Sequence, residues 1–271
     1  MTSRIRAIVV SVLLVGLVAC GDTSPAPGGS GSPASSSPDS PEPSPSASPE
    51  PTSTIEIPPV GGPYDWTIDP ANFVPGVDNP YFPLEPGTVL VYEGQSDGER
   101  EVVTIHVTDR TKEILGVSSV VVRDTVTVAG EIHEDTFDWY AQDVDGNVWY
   151  MGEDTKEYEH GKVSSTEGSW EAGVDGALPG IIMPAAPNVG LAYTQEHYAG
   201  EAEDEAKIVA LGKRVEVPYG SFDEVLVTED QTPLEPKVLE RKYYAPGIGV
   251  VFEELVQGGN EALELVSVRR T

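Results

Sequence analysis

Beyond Pro59 the chain alternates apolar and polar residues at a period of two through most of its length. Val102-Val103-Thr104-Ile105-His106-Val107 places Val103, Ile105 and Val107 on one face of an extended segment. Val120, Val122, Val126 and Val128 line one face of the next, interrupted by Asp124. Phe137, Trp139 and Ala141 then alternate with Asp138 and Tyr140. Period two carried by β-branched and aromatic residues predicts half-buried antiparallel strands. Turn signals separate these strands: Asp97-Gly98, Ala129-Gly130, Asp145-Gly146, His160-Gly161, Tyr219-Gly220, Pro246-Gly247 and Gly258-Gly259-Asn260. Each supplies a residue that tolerates positive φ at a chain reversal. Later strands are predicted at about 203–211, 213–217, 224–230, 237–245, 248–256 and 261–268, giving roughly a dozen in all. The best helix candidate, 201–210, reads equally well as a strand. The glycine- and proline-rich stretch 171–190 is expected to break the meander into two halves. Without βαβ alternation a parallel sheet is excluded. The fold class is therefore all-β: an antiparallel meander forming a curved sheet, whether barrel, half-barrel or two-layer sandwich, because so many strands rarely stay flat.

Composition divides the chain near residue 59. All four tryptophans, all eleven tyrosines and all five phenylalanines lie beyond it. From Asp22 to Pro58 the chain is Ser, Pro, Gly, Ala and Thr with a few acids, and Ile55 and Ile57 are its only large apolar residues. Such a stretch cannot bury enough surface to offset its chain entropy, so a disordered linker is expected. Frequent proline biases it toward extended polyproline II, with a reach on the order of 100 Å.

The first residues carry Arg4 and Arg6, followed by a nearly unbroken apolar run from Ala7 to Ala19. This is the layout of a secretory signal peptide, and it is shorter than the ~20 residues of a membrane-spanning helix. Ile5 separates the two arginines, so no twin-arginine pair exists and general secretion is expected. The run ends at Leu17-Val18-Ala19-Cys20-Gly21. That segment resembles the lipobox of bacterial lipoprotein precursors. The resemblance implies cleavage before Cys20, a diacylglyceryl thioether and fatty acid such as palmitate on that residue, and a location on the extracytoplasmic face of the cell membrane. The expected organisation is a signal peptide over 1–19, a lipidated Cys20 with its Ser/Pro-rich linker over 20–58, and a single β-rich domain over 59–271.

Charge narrows the partners. With 16 basic and 45 acidic residues the formal charge is −29, and removal of Arg4 and Arg6 makes it −31. Phosphate neutralisation needs a basic footprint, so nucleic-acid binding is excluded, as is a polybasic grip on anionic lipid. The membrane is reached through the Cys20 anchor, with the linker holding an acidic body away from an anionic surface. Cys20 is the only cysteine, so the chain has no internal disulfide and no cysteine zinc site.

Chemistry is harder to locate. His133-Glu134 starts like a zinc-protease motif, but residue 137 is Phe and the segment reads as a strand. His106, His133, His160 and His197 stand singly along the chain. Asp143-Val144-Asp145-Gly146-Asn147 resembles the front half of a calcium loop, which makes Asp143 and Asp145 candidate Ca²⁺ ligands; an Asp-Gly hairpin turn accounts for the same residues. Glu201, Glu203, Asp204 and Glu205 could help hold a cation or could form a solvated edge that discourages sheet pairing. No nucleophile elbow and no phosphate loop are present, so no catalytic residue is assigned and no other cofactor is expected. In Trp139/Tyr140, Trp149/Tyr150 and Tyr243/Tyr244, one ring of each pair should face the core and the other solvent or a cavity. A concave aromatic face would suit an apolar or carbohydrate ligand.

Asn79-Pro80-Tyr81-Phe82-Pro83-Leu84-Glu85-Pro86-Gly87, Asp138-Trp139-Tyr140-Ala141 and Lys242-Tyr243-Tyr244-Ala245-Pro246-Gly247 carry a second resemblance. Residues from about 70 to 268 resemble a widespread family of exported bacterial β-rich proteins with no assigned activity. The resemblance implies an extracytoplasmic β domain and assigns no site residue. The sequence thus points to a lipid-anchored extracytoplasmic lipoprotein whose β domain is a binding or structural module. The alternatives are a secreted hydrolase with a site near 171–190 and a calcium-stabilised envelope domain.

Overall fold

The structure, a computed structural model, describes residue 57 and residues 60–270. The predicted signal peptide, Cys20 and all of the predicted linker except residue 57 lie outside the described residues. Within them are sixteen strands, one 3-10 turn at Pro70–Asn72 and no α-helix. The strands are β1 (Phe73–Val74), β2 (Thr88–Ser96), β3 (Glu99–Ile114), β4 (Val117–Val128), β5 (Glu131–Asp143), β6 (Val148–Glu159), β7 (Lys162–Ser165) and β8 (Trp170–Glu171). Then follow β9 (Leu178–Met183), β10 (Ala192–Thr194), β11 (Glu196–His197), β12 (Glu205–Val217), β13 (Gly220–Gln231), β14 (Leu239–Ala245), β15 (Gly249–Gln257) and β16 (Ala262–Arg270).

All pairings are antiparallel, and one path runs β10-β12-β13-β14-β15-β16-β2-β3-β4-β5-β6-β9-β11. Its two ends are halves of one extended segment. Ala192–Thr194 pairs with β12, and after Gln195 the next two residues, Glu196 and His197, pair with β9. The sheet therefore returns on itself as a nearly closed barrel, which removes the exposed edges that an open sheet of this size would carry.

The hairpins follow local chemistry. Asp97-Gly98, Ala129-Gly130 and His160-Gly161 have positive φ at both positions, the two-residue geometry whose twist matches the flanking strands. Leu115-Gly116 turns in the same way, at a place where the residue types gave no turn signal. The predicted strands 203–211 and 213–217 are one strand, β12, continuous through register shifts against β13. Residues 171–190 do not break the sheet. They supply β9 and the end of β8, both paired with β6, and they bury Ala172, Ala177, Ile181 and Met183.

Facing directions correct the sequence reading at two strands. Asp124 does not interrupt the valine face of β4; it shares that face and is 2% exposed. On β5 it is Asp138 and Tyr140 that line the interior, while Phe137 points outward beneath the guanidinium groups of Arg110 and Arg123. Register then aligns the interior in rows, Ile105–Asp124–Thr136–Thr155 and Val107–Val122–Asp138–Glu153.

Residues 64–87 dress the barrel. Trp66 and Phe73 pack edge-on against Trp149, and the Tyr64 hydroxyl donates to the Pro179 carbonyl at 2.7 Å. The chain then crosses one end. The Gln142 side chain accepts the N–H groups of Asp78 and Asn79, and the Pro80 carbonyl accepts from Gly247 at 2.7 Å. Just past these two moorings, Phe82, Pro83 and Leu84 line the interior.

Closure depends on Gly180, where an added Cβ would overlap the Gln195 carbonyl. Gly180→Ala is expected to lower stability in urea by about 2–4 kcal/mol, the range of a severe steric lesion. Gly161→Ala, at φ 72° with open space around it, should cost only about 1 kcal/mol. Equal losses from the two would show that the seam is not sterically set.

Candidate functional site

The barrel interior holds a cavity of about 60 Å³. By volume it could hold a few water molecules. Its apolar wall includes Leu84, Leu90, Val107, Val122, Ile182 and Val250, with aromatic surface from Phe82, Tyr92, Tyr140 and Tyr244. Asp124, Asp138 and Lys242 enter the same space. Mixed lining of this kind, mostly apolar with a few convergent polar groups, is the ordinary form of a small-molecule site.

Each polar group is held differently. The Tyr150 hydroxyl donates to Asp138 Oδ1 at 2.6 Å, and its ring stacks on Tyr140 at 4.8 Å. The Tyr92 hydroxyl donates to the Val250 carbonyl at 2.8 Å. Lys242 Nζ lies 3.3 Å from Asp230 Oδ2 and 3.8 Å from Glu240 Oε2. Asp124 Oδ1 has no hydrogen-bond partner among the described residues.

The cavity belongs to a wider acidic interior. Glu153, Glu196, Asp204, Asp230, Glu240 and Glu253 are all buried, with Lys242 the one buried cation among the described residues. Taking a carboxylate out of water disfavours its charged form, and neighbouring carboxylates add to the effect. Burial, then the charges of Asp138 and Glu134, raise the Asp124 carboxyl well above the usual range. Burial, then Asp138 and Glu134, do the same to Glu153; burial, then Asp204 and Glu153, raise Glu196. Burial pushes Glu134 up to about 8, although its hydrogen bond with Thr136 pulls the other way. On Lys242 burial opposes the charge, but Asp230, Glu253 and Glu240 together outweigh it and hold the ammonium protonated.

The residues singled out in the sequence are dispersed. Asp143 serves the turn before β6: Oδ1 accepts from the backbone N–H groups of Asp145 and Asn147, and Oδ2 from Asn147 Nδ2 and Trp149 Nε1, all at 2.8–3.0 Å. Among the described residues no three His, Cys, Asp or Glu side chains are placed to hold a metal ion. His106 and His160 are exposed, and His197 lies against the Tyr64 ring. Asp204 is buried rather than part of a solvated edge, while Glu201 is exposed. Tyr140 and Tyr244 face the cavity as members of two of the three predicted aromatic pairs, and Tyr243 faces away, donating to Glu254 at 2.8 Å; in the third pair Trp149 and Tyr150 are both buried, against expectation. Asp124, Asp138 and Lys242 were not singled out as site residues. Their signal was parity: each carries charge at a position whose neighbours two residues away point inward.

Raised carboxyl values fix the sign of the pH dependence. Between the unfolded value of 4.5 and the folded value of about 8, Glu134 holds a proton in the folded state that the unfolded chain releases. Stability therefore falls as pH rises through that window, and the other raised carboxyls act in the same direction. The melting temperature should be higher at pH 5 than at pH 8, and Glu134→Gln should flatten part of the decline. Surface repulsion in an acidic chain gives the same sign, but salt screens it. A dependence abolished by 1 M NaCl would place its origin on the surface.

No protein-family model matches the chain, and no curated protein matches it. Among solved structures the chain is similar to a Bacteroides fragilis protein described as exported and of YmcC-like fold. Identity is 16% over 70% of this chain and 99% of that one, with a TM-score of 0.42. It is also similar to a Parabacteroides distasonis protein described as a lipoprotein, at 13% identity over 70% of this chain and 98% of that one, with a TM-score of 0.37.

Proposed function

We propose that this chain is an envelope lipoprotein, anchored through acylated Cys20, whose barrel holds a small ligand in its interior. The interior cavity carries the binding half of this reading. It sits inside a sheet that returns on itself, beneath a segment moored at Gln142 and Gly247, and it combines apolar walls with charged groups. A module built only for strength gains nothing from two carboxylates and an ammonium at that place, since burying charge costs stability unless it is paired. The anchoring half rests on Leu17-Val18-Ala19-Cys20 and on the apolar run before it. Two acyl chains or more give a firm anchor, whereas one chain is marginal at ~0.8 kcal/mol per buried methylene.

The two halves are tested separately. In a bacterial host fed a labelled palmitate analogue, the wild type should take up label and Cys20→Ala should not; an unlabelled wild type would refute the anchor. For the binding half, native mass spectrometry of the purified full chain should show a mass excess that organic extraction removes. Val122→Phe, which fills the cavity, should lack that excess while keeping its cooperative melt. A wild type without adduct, together with a Val122→Phe chain more stable than wild type, would mean that the cavity is a packing defect and the domain structural.

A further inference from the structure

Resting on the reading of the barrel interior as a binding chamber, we propose that its ligand is a small organic amine bound as the ammonium, with Asp124 accepting the N–H and the aromatic rings enclosing the carbon body. The charge of the ligand follows from how the three charged groups are already engaged. Lys242 directs its ammonium at Asp230 and Glu240, so an anionic ligand would have to displace carboxylates that are already in place. Asp138 receives the Tyr150 hydroxyl. Asp124 lines the cavity, and its Oδ1 is buried and accepts nothing from the described residues. A buried acceptor left open costs free energy comparable to a lost hydrogen bond, and an N–H donor entering the cavity recovers it. Phe82, Tyr92, Tyr140 and Tyr244 present ring surface to the same space, and cations are attracted to aromatic faces. The leucine and valine wall and a volume of about 60 Å³ leave room only for a short alkyl body without further polar groups.

Binding of an ammonium also moves a proton. Burial raises the Asp124 carboxyl well above its ordinary range, which favours the neutral acid. It is faced by Glu134, Asp135, Asp138 and Tyr140 from β5, Tyr92 from β2 and Glu253 from β15, with Lys242 and Tyr244 of β14 across the cavity. The ligand arrives as R–NH₃⁺, the Asp124 carboxylic acid releases its proton to solvent, and the resulting carboxylate accepts the ammonium N–H. Charge and protons balance with one H⁺ released per ligand bound, so affinity rises with pH while the amine stays protonated.

Isosteres decide the matter without a variant. The full chain in nonionic detergent is titrated with ethylamine, ethanol and acetate at pH 5 and pH 8, by calorimetry in two buffers of different ionisation heat. Ethylamine should bind at least tenfold more tightly than ethanol at pH 8, with acetate weakest, and its apparent heat should depend on the buffer. Asp124→Asn should bring ethylamine down to the level of ethanol and remove the buffer dependence. Ethanol binding without an advantage for the amine would overturn the amine assignment while leaving the chamber reading intact. Failure of all three probes, with no ligand-induced rise in melting temperature, would overturn both. An amine preference that survives Asp124→Asn would move the contact to another carboxylate and refute the role given to Asp124.

Discussion

A strand offers two faces and no intermediate choice, and a barrel makes one of those faces permanently interior. Everything unusual in this protein follows from that constraint. Asp124, Asp138 and Glu153 occupy inward positions of three neighbouring strands; register sets Asp138 opposite Glu153 and Asp124 in the adjoining row. Moving any of them to solvent would require a one-residue slip that also exposes its inward neighbours, such as Val122 and Val126 beside Asp124, Tyr140 beside Asp138 and Met151 beside Glu153. The hydrophobic pattern therefore forces the acids inside, where burial raises the Asp124 and Glu153 carboxyls, and among the described residues Lys242 is the one buried cation.

The two halves of the interior are treated differently. Near β13 and β14 a buried ion pair joins Lys242 to Asp230, with Glu240 beside it. On the inward face of β4 and β5 no buried cation is found among the described residues; burial raises the Asp124 carboxyl, and the Tyr150 hydroxyl donates to Asp138. The cavity lies where these two regimes meet. Phe82, Pro83 and Leu84, which also line it, belong to a segment hydrogen-bonded to the Gln142 side chain and to Gly247.

Much of the fold was legible in the sequence because its determinants are local. Alternation located the long strands, and Asp-Gly and Ala-Gly pairs located their turns. The barrel seam was not legible, since β10 and β11 are three and two residues long and carry no period to detect. The Leu115-Gly116 turn escaped because leucine is not a turn residue; its conformation there is imposed by the strands it joins. The interior site was obscured for a related reason. An acid within a valine face reads as an interruption, and only pairing with Thr136 and Ile105 reveals that it keeps its place. The Asp143 motif was legible as a pattern, yet its carboxylate is occupied by the turn it closes and by the Trp149 indole.

The pairing of β16 with β2 sets the order in which this molecule can come into being. Arg269 and Arg270 lie opposite Val89 and Thr88, so the earliest long strand to be synthesised waits, one edge bare, for almost the whole domain to follow. Hairpins from β2 to β6 can form on their own, but they cannot enclose an interior, and their inward acids stay hydrated and ionised until the seam and the β16 junction are both made. Enclosure and protonation must then occur together, late and cooperatively, in a chain dominated by distant contacts that fold slowly. A barrel of this kind would gather its protons from solution at the moment it shuts.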